Sequence, residues 1–311
     1  MALVESAPVP VPVHDATLYV DSRCRLGEGV LWCEREQVLW WTDIHSSRLW
    51  RHKPDTGETR RWALPDRLGS FALCESGKLL LGLAKGLYQV DPNEFEFLDT
   101  LDPTLLVAVE ADKPTLRIND GRTDRSGRFV FGTLNEDPRR ERIGGFYQYS
   151  RQFGLRPLDL GGVAIPNSLC FDLDGRGLYY CDSLSGWIMF TPYDSQTARV
   201  GKPEVFAHVD SPASPDGATV DRKGRMWSAH WGSGRAVCYG RDGRIERVVS
   251  VPTSNVSCVS FGGPSFEQLY ITSASDELSE AQMRAQPDAG GVYRVTLRGV
   301  SGLPETRFDD R

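Results

Sequence analysis

Short apolar runs alternate with Gly/Asp/Pro turns along nearly the whole chain, and few stretches carry a helical period. Val38-Leu39-Trp40-Trp41-Thr42-Asp43, Leu79-Leu80-Leu81-Gly82-Leu83, Gly86-Leu87-Tyr88-Gln89-Val90, Gln268-Leu269-Tyr270-Ile271-Thr272 and Gly291-Val292-Tyr293-Arg294-Val295 are examples. Runs of this length bounded by turn formers read as strands. They group into six units, with equivalent positions at Glu28, Ser70, Asn119, Asn167, Asp216 and Ser257, spaced 42, 49, 48, 49 and 41 residues apart. Roughly four strands per unit at a period of about 40–50 residues is the rhythm of propeller blades. The predicted fold is therefore all-β, a six-bladed β-propeller spanning residues 15–303 as a single domain. The strand Ala16-Thr17-Leu18-Tyr19-Val20 is expected to complete the last blade, since ring closure pairs otherwise free edges. Residues 1–14, rich in Pro and Val, read as a flexible N-terminal arm, and residues 304–311 as a frayed tail. One segment breaks the pattern: Ser279 followed by Gln282 is a capping signal for a short helix over Glu280-Ala281-Gln282-Met283-Arg284.

Three of the units share a phrase. Arg117-Ile118-Asn119-Asp120-Gly121 runs into Asp124-Arg125-Ser126-Gly127-Arg128, Ile165-Pro166-Asn167-Ser168 into Asp172-Leu173-Asp174-Gly175-Arg176, and Ser214-Pro215-Asp216-Gly217 into Asp221-Arg222-Lys223-Gly224-Arg225. The second half of each phrase is hairpin chemistry, and the turns at Asp124, Asp174 and Asp221 carry no further message. The first half places a polar residue at the start of each innermost strand, where six blades crowd the axis. Glu28, in Leu26-Gly27-Glu28-Gly29, holds the matching place in the first unit.

Composition narrows the function. The chain has 311 residues, 40% hydrophobic and 25% charged, with a net charge of −6. No basic run or basic–aromatic stripe is present, which argues against a nucleic-acid partner. No stretch has the length of a membrane span, and the N-terminus lacks the layout of a secretory signal. The seven cysteines are odd in number and contain no C-x-x-C pair, so they read as reduced thiols, Cys170 and Cys181 on one hairpin included. The expected setting is the cytoplasm.

Two carboxylates and two amides (Glu28, Asn119, Asn167, Asp216) brought to one axis need a partner. Burial without one would protonate the carboxylates or cost several kcal/mol. A hard divalent cation satisfies such oxygen donors, and the absence of Cys and His from these positions disfavours thiolate-type zinc or copper chemistry. No G-x-S-x-G elbow or Walker pattern offers another site, and His230 reads as a core or loop histidine.

Taken together, Leu26-Gly27-Glu28-Gly29, Arg117-Ile118-Asn119-Asp120-Gly121, Ile165-Pro166-Asn167-Ser168 and Pro215-Asp216-Gly217 with Trp227 resemble the gluconolactonase/regucalcin (senescence marker protein) family, over a span from about Glu28 to Val295. The resemblance implies one axial divalent metal (Ca, Mg, Mn, Zn or Fe(II)) held by Glu28, Asn167 and Asp216, with Arg117 and Asn119 contacting substrate. It also implies an acidic substrate contact 18 residues after Asn119, a count that lands on Asp137 beside Glu136 and leaves open which of the two faces inward. The implied activity is hydrolysis of a small-molecule sugar lactone, with Asp216 both ligand and general base. Val30 stands where many members have Pro. Two other readings remain: a paraoxonase-like lactonase or esterase of apolar substrates, and a metal-binding regulatory propeller without turnover. The sequence does not specify an oligomeric state.

Overall fold

A computed structural model describes residues 10–311. Among these residues six antiparallel sheets follow one another around a ring, forming a six-bladed β-propeller. The innermost strands are Gly27–Cys33, Leu68–Leu73, Leu116–Thr123, Pro166–Phe171, Ser214–Val220 and Val256–Gly262, in blades one to six. The expected closure is present: Thr17–Val20 pairs antiparallel with Val292–Thr296 as the outer strand of blade six.

Both faces of a blade pack against neighbours, so its middle strands are buried throughout. Six apolar clusters fill the six seams between adjacent blades. The second strand of blade one shows how strand alternation serves two seams. Trp40 stacks on Trp62 toward blade two, with ring centroids 5.8 Å apart, while Trp41 stacks on Trp50 toward blade six at 5.6 Å. Trp50 and Trp62 are both buried between blades.

Two expectations about the termini are corrected. Part of the arm lies outside the described residues, but Val13–Asp15 forms a parallel fifth strand on Ile245–Ser250 of blade five. The tail 304–311 does not fray. Phe308 is fully buried and stacks on Tyr149 at 5.8 Å. Its amide donates to the Leu73 carbonyl at 2.8 Å, and Glu75 N donates to Phe308 O at 3.0 Å. The tail straps the underside of blades one to three. The short helix is found at Glu280–Ala285, with the Ser279/Gln282 capping box in place. All seven cysteines are free and buried, and Cys170 sits opposite Tyr179 rather than Cys181.

Candidate active site

Every innermost strand carries a β-bulge against its neighbour, and each bulge falls at the polar position of the repeat. The register breaks between Glu28 and Leu31, Leu68 and Ser70, Ile118 and Gly121, Asn167 and Cys170, Pro215 and Ala218, and Val256 and Cys258. A bulge bends its strand and re-aims a side chain, here toward the axis at one mouth of the ring. Gly29 takes the left-handed conformation one of these bulges needs (φ +59°). At Gly217 the strands approach so closely that a Cβ would lie 2.6 Å from the Cys258 sulfur. Side-chain hydroxyls tie neighbouring blades together at the same level. Ser168 donates to the Asp216 carbonyl (2.7 Å), Ser183 to the Pro215 carbonyl (2.8 Å) and Ser257 to the Gly27 carbonyl (2.5 Å).

The mouth opens into a cavity of about 380 Å³ lined by Glu28, Arg117, Asn119, Glu136, Asn167 and Asp216, among others. Glu28 and Asp216 form its floor. Burial, then the nearby Asp120 charge, pushes the Glu28 carboxyl above the usual range; burial, then Glu28 itself, does the same to Asp216. Neither carboxylate has a hydrogen-bonded cation among the described residues; Glu28 Oε2 accepts only the Gly29 amide, at 2.9 Å. Asn167 completes the set. Its Nδ2 donates to Ser183 Oγ (2.9 Å), which turns Oδ1 toward Asn119 Nδ2 (3.1 Å).

This donor set fits a hard divalent cation: two carboxylates lacking a counter-charge and one amide oxygen. No three His, Cys, Asp or Glu side chains converge to hold a metal among the described residues, and the third oxygen donor beside the two carboxylates is the Asn167 amide.

Blade three builds the cavity wall. Arg117 is buried, and its Nη1 donates to Asn119 Oδ1 at 2.7 Å and to the Ile118 carbonyl at 3.0 Å, while Nε donates to Glu136 Oε1 at 3.1 Å. Glu136 also receives Arg67. Asn119 Nδ2 donates to the Pro166 carbonyl at 2.9 Å, locking the amide between Arg117 and blade four. The choice between Glu136 and Asp137 falls to Glu136. Asp137 lies outside the cavity lining and accepts from Arg139 N (2.9 Å) and Nε (3.2 Å).

Several residues of this mouth were missed from sequence. Asp120 is a third carboxylate beside the pair, half-buried and accepting the Leu169 amide at 2.8 Å; desolvation pushes its carboxyl up. Its place within Asn-Asp-Gly reads as a turn, and only the bulge gives it another role. Ser183, His45 and Asp276 also line the cavity. His230 is a core histidine as expected, buried against the Tyr239 hydroxyl at 3.0 Å, and burial pushes its imidazole down to about 3.

Residues 26–275 match the family model described as the SMP-30/Gluconolactonase/LRE-like region. The chain is 40% identical over 300 residues to an L-arabinolactonase of Azospirillum brasilense, covering 96% of each chain. It is 32% identical over 302 residues to the pentonolactonase XacC of Haloferax volcanii, covering 95% of this chain and 98% of that one. Its fold matches the crystal structure of a calcium-binding protein, regucalcin, from Agrobacterium tumefaciens, with a TM-score of 0.88 and 29% identity over 96% of this chain and 99% of the other. The bulged axial strands, the paired carboxylates and the extent of these matches together establish that this chain belongs to the SMP-30/gluconolactonase family.

Proposed function

We propose that this protein hydrolyses a sugar-acid lactone, an aldono-1,4- or 1,5-lactone, to the open acid. The observation that carries the reading is the Glu28–Asp216 pair, without a counter-charge among the described residues, in a cavity walled by the Arg117–Asn119–Glu136 network. The lactonase relatives support the substrate class, and the calcium-binding neighbour supports a divalent ion.

Glu28, Asn167 and Asp216 would hold that ion, whether Ca, Mg, Mn, Zn or Fe(II). When bound, it supplies electrophilic polarisation of the lactone carbonyl and stabilisation of developing negative charge. The rest falls to the protein. Asp216 accepts a proton from the attacking water, since one carboxylate oxygen remains available for it. Arg117 presents a planar donor fork to ring hydroxyls, and Glu136 fixes the plane of that fork while accepting hydroxyl protons itself. Asn119 sets the spacing between the fork and the floor. The apolar wall of Leu134, Ile165, Leu184 and Trp231 favours a second reading, a lactonase of less polar rings, which the same assay addresses. The seven free thiols fit a reducing, cytoplasmic setting. No helix is long and apolar enough to cross a membrane among the described residues.

The test is acid release from a panel of aldonolactones and an unsubstituted lactone of equal ring size, with and without chelator. The expected result is chelator-sensitive turnover of the polyhydroxylated rings. Preference for the unsubstituted ring would favour the second reading, and metal binding without turnover would favour a regulatory propeller.

A further inference from the structure

Opposite the Arg117–Glu136 wall, the cavity rim holds a second polar pair. His45 lies in the hairpin loop between Val38–Asp43 and Arg48–Lys53 of blade one, and Asp276 in the loop after Gln268–Ser273 of blade six. Both line the cavity. His45 Nδ1 meets Asp276 Oδ2 at 2.7 Å, and Arg25 Nη2 donates to Asp276 Oδ1 at 3.3 Å. The contact with a carboxylate places the proton on Nδ1, and Nε2 makes no hydrogen bond among the described residues. Both loops are anchored. Asp43 accepts the amides of Leu26 (3.0 Å) and Ser46 (3.3 Å) through Oδ1 and that of Arg25 (3.0 Å) through Oδ2. The Asp276 amide donates to the Arg25 carbonyl (2.9 Å), and Asn255 Nδ2 donates to the Asp276 carbonyl (2.9 Å). An oriented imidazole whose second nitrogen has no protein partner is the arrangement of a proton-transfer group.

Lactone hydrolysis needs two proton transfers. One removes a proton from water, and the other delivers one to the ring oxygen, because an alkoxide is a poor leaving group. The proposed function assigns the first to Asp216 and names no donor for the second, for which a group separate from the one still holding the water proton is sought. Among the charged residues on the cavity, Arg117 and Arg140 hold their protons permanently, and Glu28, Glu136, Asp276 and Glu277 are acceptors when ionised. Imidazole alone among the side-chain types present both holds and releases a proton near neutral pH. The hydroxyl of Ser183 is already committed to the Pro215 carbonyl.

We infer that His45, oriented by Asp276, is the general acid that protonates the departing ring oxygen. The inference rests on the lactonase reading above. The steps balance when His45 enters as the imidazolium, with protons on both ring nitrogens: water oxygen bonds to the carbonyl carbon as its proton passes to Asp216, then the ring carbon–oxygen bond breaks as the His45 Nε2 proton passes to the alkoxide, leaving the neutral ring with its Nδ1 proton directed at Asp276. The product acid ionises, and the Asp216 proton returns to His45 through solvent. The net reaction is lactone plus water to aldonate plus one proton. The groups facing His45 are Asp276 and Glu277 from blade six, Arg25 ahead of blade one, and across the cavity Glu28, Asp216, Glu136, Arg117 and Arg140. His45→Gln and Asp276→Asn remove the proton and its orientation respectively.

The experiment is the pH profile of kcat and KM for wild type, His45→Gln, Asp276→Asn and Asp216→Asn on one aldonolactone, with spontaneous hydrolysis subtracted. His45→Gln should lower kcat on the order of 10²-fold, with KM within about threefold and the alkaline fall of kcat abolished. Asp276→Asn should lower kcat at least about tenfold while keeping that alkaline limb, because the acid is present but misdirected. It also serves if His45→Gln fails to fold. Imidazole added to His45→Ala should restore turnover in proportion to its protonated fraction. An unchanged kcat in both His45→Gln and Asp276→Asn, or a fall with the profile's shape preserved in His45→Gln, overturns the inference while leaving the lactonase reading standing. A wild type that opens no sugar lactone overturns both.

Discussion

The two ends of the central channel treat their charged groups differently. At the lower end Arg122 and Arg225 each meet a carboxylate. Arg122 is paired with Glu305 of the C-terminal tail, and Asp221 receives Arg225 Nη2 at 2.7 Å. The turn aspartates close their own hairpins: Asp124 Oδ1 accepts the amides of Ser126 (2.8 Å) and Arg128 (3.0 Å), and Asp221 Oδ1 those of Lys223 (2.8 Å) and Arg225 (3.1 Å). In blade four the same position belongs to Asp172, whose Oδ1 accepts the Arg176 amide at 2.9 Å, and not to Asp174. At the upper end Glu28 and Asp120 accept backbone amides, Asp216 is buried, none of the three is in an ion pair among the described residues, and the one buried arginine of the wall, Arg117, is turned to Glu136 and Asn119. The lower end is complete as a piece of protein. The upper end is complete only with something added.

This contrast breaks most readily at Asp216. Asp216→Asn should reduce lactone hydrolysis by at least about 10²-fold, approaching 10⁴, because on the proposed function it would remove both the proton acceptor and a ligand. The melting temperature measured in chelator should hold or rise, since one of two adjacent buried like charges is gone. A variant that retained full turnover would remove Asp216 from the chemistry.

The converse holds at the lower end. Glu305→Gln leaves the Arg122 charge uncompensated where both side chains are about one-tenth exposed. A cost of about 3–5 kcal/mol in unfolding free energy is expected, with kcat unchanged at a temperature where the variant is folded. Denaturant unfolding beside a rate assay checks both halves. A selective loss of kcat would mean that the two ends are not independent.

Glu136→Gln is a smaller perturbation of the upper end. Arg117 would lose its ionic anchor, and kcat/KM should fall about 10–100-fold, mostly through KM, by loss of a charged hydrogen bond worth about 1.5–3 kcal/mol. Asp137→Asn should leave both constants unchanged.

The last effect concerns pH and bears on stability, not on turnover. His230 is neutral in the fold, its imidazole pushed down to about 3 by burial from an ordinary 6.5. The unfolded chain therefore takes up a proton that the folded one refuses. The stability contribution is fully present above pH 6.5 and is lost as pH falls from there toward 3, with a slope approaching about 1.4 kcal/mol per pH unit. Replacing His230 with Gln should flatten that acid limb of unfolding free energy, and an unchanged slope would assign it to other groups.

The propeller was legible because its cause is periodic: strands buried on both faces and turns at fixed intervals repeat six times. The metal-ligand candidates were legible because the bulges recur in register, so Glu28, Asn167 and Asp216 stand at matching positions. What was not legible depends on single events. Glu136 and Asp137 lie just past the end of the strand Phe129–Asn135, where alternation no longer dictates which side chain points in. The tail is held by scattered contacts of Glu305, Arg307 and Phe308, which leave no pattern in eight residues. His45 and Asp276 are 231 residues apart and meet only because ring closure sets blade six beside blade one.

The central claim is that the upper end is an incomplete cation site serving hydrolysis. Calorimetric titration of chelator-stripped protein with divalent ions, paired with acid release from an aldonolactone in the same samples, tests it most directly. The account predicts a single ion per chain, turnover restored in step with its binding, and loss of both in Glu28→Gln and Asp216→Asn. Full hydrolysis by the stripped protein, or binding undiminished in those variants, would contradict it.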